Sequence, residues 1–127
     1  MTVQLNHTIV AAADSEASAA FVTGLLGLGD PVRYGPFQMV EIANGVSLDF
    51  MNVEGTVAPQ HYAFLVSEAE FDEIFGRIRS QGLGHWADPG QSLPDQINHN
   101  DGGRGVYFED LNGHLLEIIT RPYGSSP

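Results

Sequence analysis

Asn44-Gly45-Val46-Ser47-Leu48-Asp49-Phe50 and Asn112-Gly113-His114-Leu115-Leu116-Glu117-Ile118 read almost alike. Each is an Asn-Gly turn feeding an apolar strand that carries one carboxylate at the same offset. Upstream of each lies a strand with a histidine, Leu5-Asn6-His7-Thr8-Ile9-Val10 and Gln60-His61-Tyr62-Ala63-Phe64-Leu65. A helix-like stretch follows each histidine, with Phe21 and Phe75 at matching distances from His7 and His61. The chain is therefore two copies of one unit, and each copy contributes a histidine and an acid.

Bulk properties narrow the class. With 127 residues, 43% of them hydrophobic, the chain has the size of one globular domain. Either half alone is marginal as a fold, so the halves are expected to share a core or to pair with another copy. There is no cysteine, which removes disulfides, thiolate ligands and thiol nucleophiles. Sixteen acidic residues face five basic ones, a net charge of −11, and all five of the latter are arginines. That field repels phosphate backbones and anionic lipid, so neither nucleic acid nor a membrane surface is an expected partner. It favours metal cations and basic ligands, although an acidic surface also serves solubility alone. Met1-Thr2-Val3-Gln4 has no basic leader region and no apolar run is long enough to span a bilayer, so a cytoplasmic location is expected.

Period-two patterning predicts a half-buried strand over residues 3–11, with Val3, Leu5, His7 and Ile9 on one face. Asp14 or Ser15 caps a helix through Ala17, Phe21 and Leu25 that stops at Gly27 or Gly29. Short strands are expected at 32–34, 38–42 and 46–52. The second copy repeats the order: a strand at 61–66, a capping box at Ser67-Glu68-Ala69-Glu70, and a helix with the stripe Phe71, Ile74, Phe75, Ile78 ending at Gly82. Further strands are expected near 84–87, 105–108 and 114–121. Residues 88–101 read as a long loop of the kind that often carries function, and residues 124–127 as a frayed tail. Each unit is thus β-α-β-β-β.

Glu117 lies on the same strand face as Leu115 and Ile119, where a carboxylate is costly unless something pairs with it. His7 sits between Leu5 and Ile9, and His61 faces the way of Ala63 and Leu65. One such residue is ordinarily a satisfied core or edge group. Three at equivalent points of a duplicated unit suggest a set of two imidazoles and one carboxylate for a divalent cation, with positions left for substrate or oxygen. Asp49 holds in the first copy the place of Glu117 in the second. It suits a fourth ligand, an acceptor for a ligating imidazole N–H, or a merely hydrogen-bonded carboxylate. Trp86, beside His85, either lines a pocket or packs in the core or at a rim. There is no lysine for Schiff-base chemistry and no nucleophile elbow.

These features resemble the vicinal oxygen chelate superfamily, which includes glyoxalase I, fosfomycin-resistance proteins, extradiol dioxygenases and bleomycin-resistance binding proteins. The resemblance spans about residues 3–122. It is most specific at Gly103-Arg104-Gly105-Val106-Tyr107-Phe108-Glu109-Asp110-Leu111-Asn112-Gly113-His114-Leu115-Leu116-Glu117, similar to the family's Tyr-Phe-x-Asp-Pro-x-Gly-x-x-x-Glu segment with Leu111 in place of proline. The resemblance implies an α+β fold of two tandem β-α-β-β-β modules, about 3–54 and 58–122, forming a curved, partly open barrel-like sheet around a cavity. It assigns His7, His61 and Glu117 as ligands of one divalent ion (Fe2+, Mn2+, Zn2+, Ni2+ or Co2+), and implies a homodimer with the site within one chain or across two.

The wider pattern Ile97-x-His99, Val106-Tyr107, Asp110, Gly113 and Glu117 is similar to the extradiol dioxygenase signature. That likeness makes His99 the candidate acid/base and Tyr107 the candidate hydrogen-bond donor to a developing oxyanion. Arg104, between two glycines, is a candidate clamp for an anionic substrate group, the alternative being a surface loop cation. Three ligands favour oxygen insertion with Fe2+, whereas four, with Asp49, favour a glyoxalase-type isomerisation. The expected function is a metal-dependent enzyme acting on a small molecule through two neighbouring oxygens. The alternative is a binding protein that sequesters a cationic or aromatic drug without changing it.

Overall fold

The computed structural model describes residues 2–126 and divides into two compact units, Met1–Ala58 and Pro59–Pro127. The first holds β1 (His7–Ala12), α1 (Ser15–Leu26), β2 (Val32–Tyr34), β3 (Phe37–Glu41) and β4 (Ser47–Asn52) in an open sheet ordered β1-β4-β3-β2. The second holds β5 (His61–Leu65), α2 (Glu68–Ser80), β6 (His85–Trp86), β7 (Gly105–Glu109) and β8 (Leu115–Ile119), ordered β5-β8-β7-β6. Both are β-α-β-β-β modules of an α+β fold. In each, the first strand runs parallel to the last and the remaining pairs are antiparallel.

This pairing is what brings a histidine and an acid together. In the first unit His7 lies opposite Ser47 and Ile9 opposite Asp49. In the second His61 lies opposite Leu115 and Ala63 opposite Glu117. Since side chains alternate along a strand, each histidine and the acid one step further share a sheet face. The turns before the acids are built alike: Gly45 and Gly113 adopt φ of 80° and 86°, a conformation open to glycine. In the second turn the Asp110 carboxylate accepts the backbone N–H groups of Asn112 (2.9 Å) and His114 (2.8 Å). Those bonds define the turn that Leu111, standing where a proline is usual, does not stiffen.

Helix ends follow local chemistry. The Asp14 carboxylate accepts the Ala17 N–H at 3.2 Å, and α1 stops where Gly27 turns left-handed at φ 71°. At α2 the Ser67 and Glu70 side chains satisfy each other's backbone N–H groups at 3.1 and 2.8 Å. Glu68 and Glu70 near the helix start and Arg77 and Arg79 near its end suit the helix dipole. Phe71, Ile74 and Ile78 are buried; each contributes about 1.5–3 kcal/mol of apolar burial.

The structure corrects three local expectations. Regular strand begins at His7 rather than at residue 3, and Val3 and Leu5 are exposed. The buried face of β1 is the even one, Val10 and Ala12, because the sheet's apolar contacts with α1 (Ala19, Val22, Leu25) lie on that side. The odd face, with His7 and Ile9, is exposed, as are His61, Ala63 and Leu65 on β5. Second, residues 88–101 are folded back rather than loose. Trp86 and Pro94 form one β-bridge and Asn98 and Gly105 another, the Asp88 carboxylate accepts the Ser92 and Leu93 N–H groups, and a 3₁₀ turn spans Asn100–Gly102. Third, residues 124–126 are tethered: Asp101 accepts the Gly124 N–H at 3.2 Å and the Ser126 hydroxyl at 2.8 Å. Pro127 lies outside the described residues. Among the described residues no helix is long and apolar enough to cross a membrane.

Candidate metal centre

Glu117 is completely buried in the second unit, yet it is not stranded. His61 Nε2 lies 3.1 Å from Glu117 Oε1. The Tyr123 hydroxyl donates to the carboxylate, 2.7 Å from Oε1 and 2.6 Å from Oε2. Tyr107, the cross-strand partner of Glu117, lies with its hydroxyl 2.9 Å from that of Tyr123. Because the Tyr123 proton points at the carboxylate, Tyr107 donates to the Tyr123 oxygen. The His61 ring also stacks on Tyr107 with centroids 5.9 Å apart. Burial, then the Tyr123 and Glu117 contacts, pushes the Tyr107 hydroxyl far above the ordinary tyrosine value. Burial and Glu117 push Tyr123 up as well, against a smaller lowering by Tyr107.

The histidine tautomers suit a metal. His61 Nδ1 is 2.8 Å from the Leu115 carbonyl oxygen, which can only accept, so Nδ1 carries a proton and, in the neutral ring, Nε2 presents a lone pair. In the first unit His7 Nδ1 is 2.7 Å from the Asn6 side-chain oxygen, and its Nε2 is left in the same state. Fixing Nδ1–H on an oxygen is how proteins orient a ligating imidazole. In its neutral form the His61 Nε2 lone pair faces a carboxylate oxygen, two acceptors turned toward each other. Two donors bound side by side to one ion at about 2.1 Å would lie about 3 Å apart, which the observed spacing matches. The pair could hold a divalent cation, with His61 Nε2 and a Glu117 oxygen as donor atoms. Among the described residues, no group of three or more His, Asp or Glu side chains is placed to hold a metal ion.

The other expected residues fall into distinct environments. Asp49 is buried on the exposed-face side of the first sheet and accepts the Ser47 hydroxyl at 2.8 Å. A cleft of about 380 Å3 in the first unit is lined by Asn6, Asp30, Met39, Glu41 and Ser47 among others, and Asp49 is not part of its lining. Trp86 is half-buried opposite Tyr107 in the sheet. His99 is exposed at the entry to the 3₁₀ turn. Arg104 is engaged with α2: Nε is 2.8 Å from Glu68 Oε1, Nη1 is 2.8 Å from Asp72 Oδ1, and its guanidinium lies 4.4 Å over the Phe71 ring. The Thr120 hydroxyl and Arg104 hold Glu68 below the usual carboxylate range. His85 and His114 serve the fold: His85 packs edge-on against Phe75, and buried His114 accepts the Gln60 N–H on Nδ1 at 2.9 Å.

Tyr123 was not among the residues singled out from the sequence. It follows β8 beyond Pro122, where neither strand nor helix periodicity applies, so pattern gave no means of placing it.

The sequence model of the glyoxalase/bleomycin resistance protein/dioxygenase superfamily matches residues 4–118, and the chain belongs to that superfamily. Among solved structures it is similar to the oxidase ChaP-H2, with 66% identity, all of both chains covered and a TM-score of 0.97. Among curated proteins it is similar to the glutathione transferase FosA of Serratia marcescens, 29% identical over 93% of this chain and 81% of that protein. A fosfomycin resistance protein FosX from Listeria monocytogenes, solved with Mn(II) and a dihydroxypropylphosphonic acid, shares the fold at 20% identity, a TM-score of 0.72 and coverage of 96% and 95%.

Proposed function

We propose that the chain is a divalent-metal-dependent oxidase of a small organic molecule that offers two neighbouring oxygens. The observation that carries this reading is the meeting of His61 Nε2 with the buried Glu117 carboxylate at 3.1 Å, with Nδ1 held by a carbonyl. The two-thirds identity with an oxidase over the whole of both chains supports the reaction class. His61 and Glu117 hold the ion, and His7, from the same chain or a second copy, is the third ligand. When bound, the ion supplies Lewis-acid polarisation of the chelated oxygens and a site for oxygen chemistry.

The protein's own groups do the rest. The Tyr107 hydroxyl, kept protonated by burial and by its neighbours, donates a hydrogen bond and steadies negative charge on a substrate oxygen. His99 is the acid/base candidate on the neighbouring loop, and Trp86 supplies aromatic surface. Asp49, held by Ser47, stays outside the ligand set, which favours three ligands over four. The exposed apolar side chains Ile9, Val32, Tyr34 and Leu65 support a homodimer that covers part of them.

Fosfomycin-type chemistry is the weaker reading. A phosphonate dianion would meet a chain with net charge −11 and no lysine, and Arg104 is already engaged by Glu68 and Asp72. Anaerobic loading with Fe2+ or Mn2+, followed by oxygen-uptake assays over catechols, hydroxyquinones and ortho-dihydroxy polycyclic aromatics, tests the proposal. Metal-dependent uptake with one of these classes is expected. A thermal shift with cationic aromatic drugs and none with any cation would replace the enzyme reading with drug sequestration.

A further inference from the structure

A side chain that nothing in the sequence marked holds both oxygens of the buried carboxylate. Tyr123 places its hydroxyl 2.7 and 2.6 Å from Glu117 Oε1 and Oε2, so it fills the wedge between them. A cation that engages both oxygens needs that same wedge. The tyrosine reaches it from a short strap after β8. Ser125 N–H closes a turn on the Pro122 carbonyl at 3.1 Å, and Asp101 accepts from Gly124 and Ser126. Asp101 itself sits at φ 57° within the 3₁₀ turn.

We propose that Tyr123 is a displaceable cap on Glu117, and that withdrawal of the strap admits the cation to the carboxylate. This rests on Glu117 being a metal ligand. Two energetic features make the cap reversible. Tyr123 is 59% exposed, with its ring largely in solvent and its hydroxyl on the acid, so withdrawal opens no cavity in the core. Removing the hydroxyl from a buried carboxylate is costly unless another positive partner arrives. The cation is that partner, so its binding and strap release are linked. Gly124, at φ 72°, gives the strap a residue that tolerates large backbone rotation. Tyr107, whose hydroxyl bonds that of Tyr123, is freed by the same movement to face substrate.

The test uses the full chain with Mn2+ as probe, comparing wild type, Tyr123→Phe, Asp101→Ala and Glu117→Gln. Mn2+ affinity is read from the free-ion paramagnetic resonance signal, and strap mobility from hydrogen–deuterium exchange over residues 120–126. Tyr123→Phe is expected to bind Mn2+ about tenfold more tightly, because the competing hydrogen bond to a charged group is gone. Asp101→Ala, which touches only the tether, should shift affinity the same way and carries the test if Tyr123→Phe does not fold. Exchange in the wild-type strap should rise on saturation with Mn2+. Equal or weaker binding by both variants, or a strap that becomes more protected with Mn2+, would overturn the cap; with Glu117→Gln still abolishing binding, the metal reading would stand. Absence of Mn2+ binding by the wild type would overturn both.

Discussion

His61 Nε2 stands 3.1 Å from Glu117 Oε1, one nitrogen on a half-exposed ring and one oxygen on a carboxylate with no exposure at all. The pair comes from parallel strands, β5 and β8, joined through the helix and three intervening elements of the same module. A buried acid of this kind is retained only if its partners offset desolvation. Glu117→Gln preserves shape and removes the charge. The expected result is a loss of about a hundredfold or more in Mn2+ affinity, with far-ultraviolet circular dichroism unchanged. Undiminished affinity would remove Glu117 from the ligand set.

Arg104 distinguishes a substrate clamp from a helix tie. Its guanidinium bridges Glu68 and Asp72 and covers Phe71, so Arg104→Ala should lower Tm by about 2–6 °C. The same variant should leave Mn2+ affinity and substrate KM unchanged. A raised KM with an unaltered Tm would restore the clamp that the sequence suggested.

The tyrosine pair predicts an alkaline signature. The folded protein holds the Tyr107 and Tyr123 hydroxyls above the unfolded value of about 10. A group raised on folding contributes stability that is fully present below the unfolded value and is lost as pH rises through the folded one. Urea midpoints should therefore be flat up to about pH 10 and fall above it. Tyr107→Phe should begin about 1 kcal/mol less stable at neutral pH and decline less steeply above pH 10. Parallel curves for the two proteins would contradict the assignment.

Gly105 shows how the loop after β6 is seated. A Cβ there would lie 2.8 Å from Asn98 Oδ1 and 3.0 Å from its Nδ2, and Asn98 is bonded to the Ala87 carbonyl at 2.9 Å. Gly105→Ala must push Asn98 aside, at a cost of about 1–3 kcal/mol. Hydrogen exchange should rise over residues 88–101, which include His99, and stay unchanged over α2. Uniform protection would show that the loop is not seated on β7.

Much of the fold was legible because the duplication repeats the histidine strand, the Asn-Gly turn and the order of elements, and because other features are decided locally. The Asn44-Gly45 and Asn112-Gly113 turns, the capping box at Ser67 and the stripe Phe71, Ile74, Ile78 each depend on residues close in sequence, and local chemistry decides them. The face of β1 was not so decided. Val3, Leu5 and Ile9 alternate as well as Val10 and Ala12 do, and only the position of α1 determines which set is buried in the module. The fold of residues 88–101 depends on single bridges from Pro94 to Trp86 and from Asn98 to Gly105, isolated pairings that alternation cannot reveal. Arg104 between two glycines looked like a loop cation, but Glu68 and Asp72 are one helical turn apart on α2 and catch it. Tyr123 lay beyond the last patterned element, and its role is visible only once the chain has turned back over Glu117.

The proposed site has one divalent ion held by His7, His61 and Glu117. Electron spin echo spectroscopy of Mn2+-loaded protein carrying 15N-histidine tests it most directly by counting the imidazole nitrogens on the metal. Two such nitrogens are expected in the wild type, one in His7→Ala and one in His61→Ala. No histidine coupling, or a count unchanged by either substitution, would contradict it.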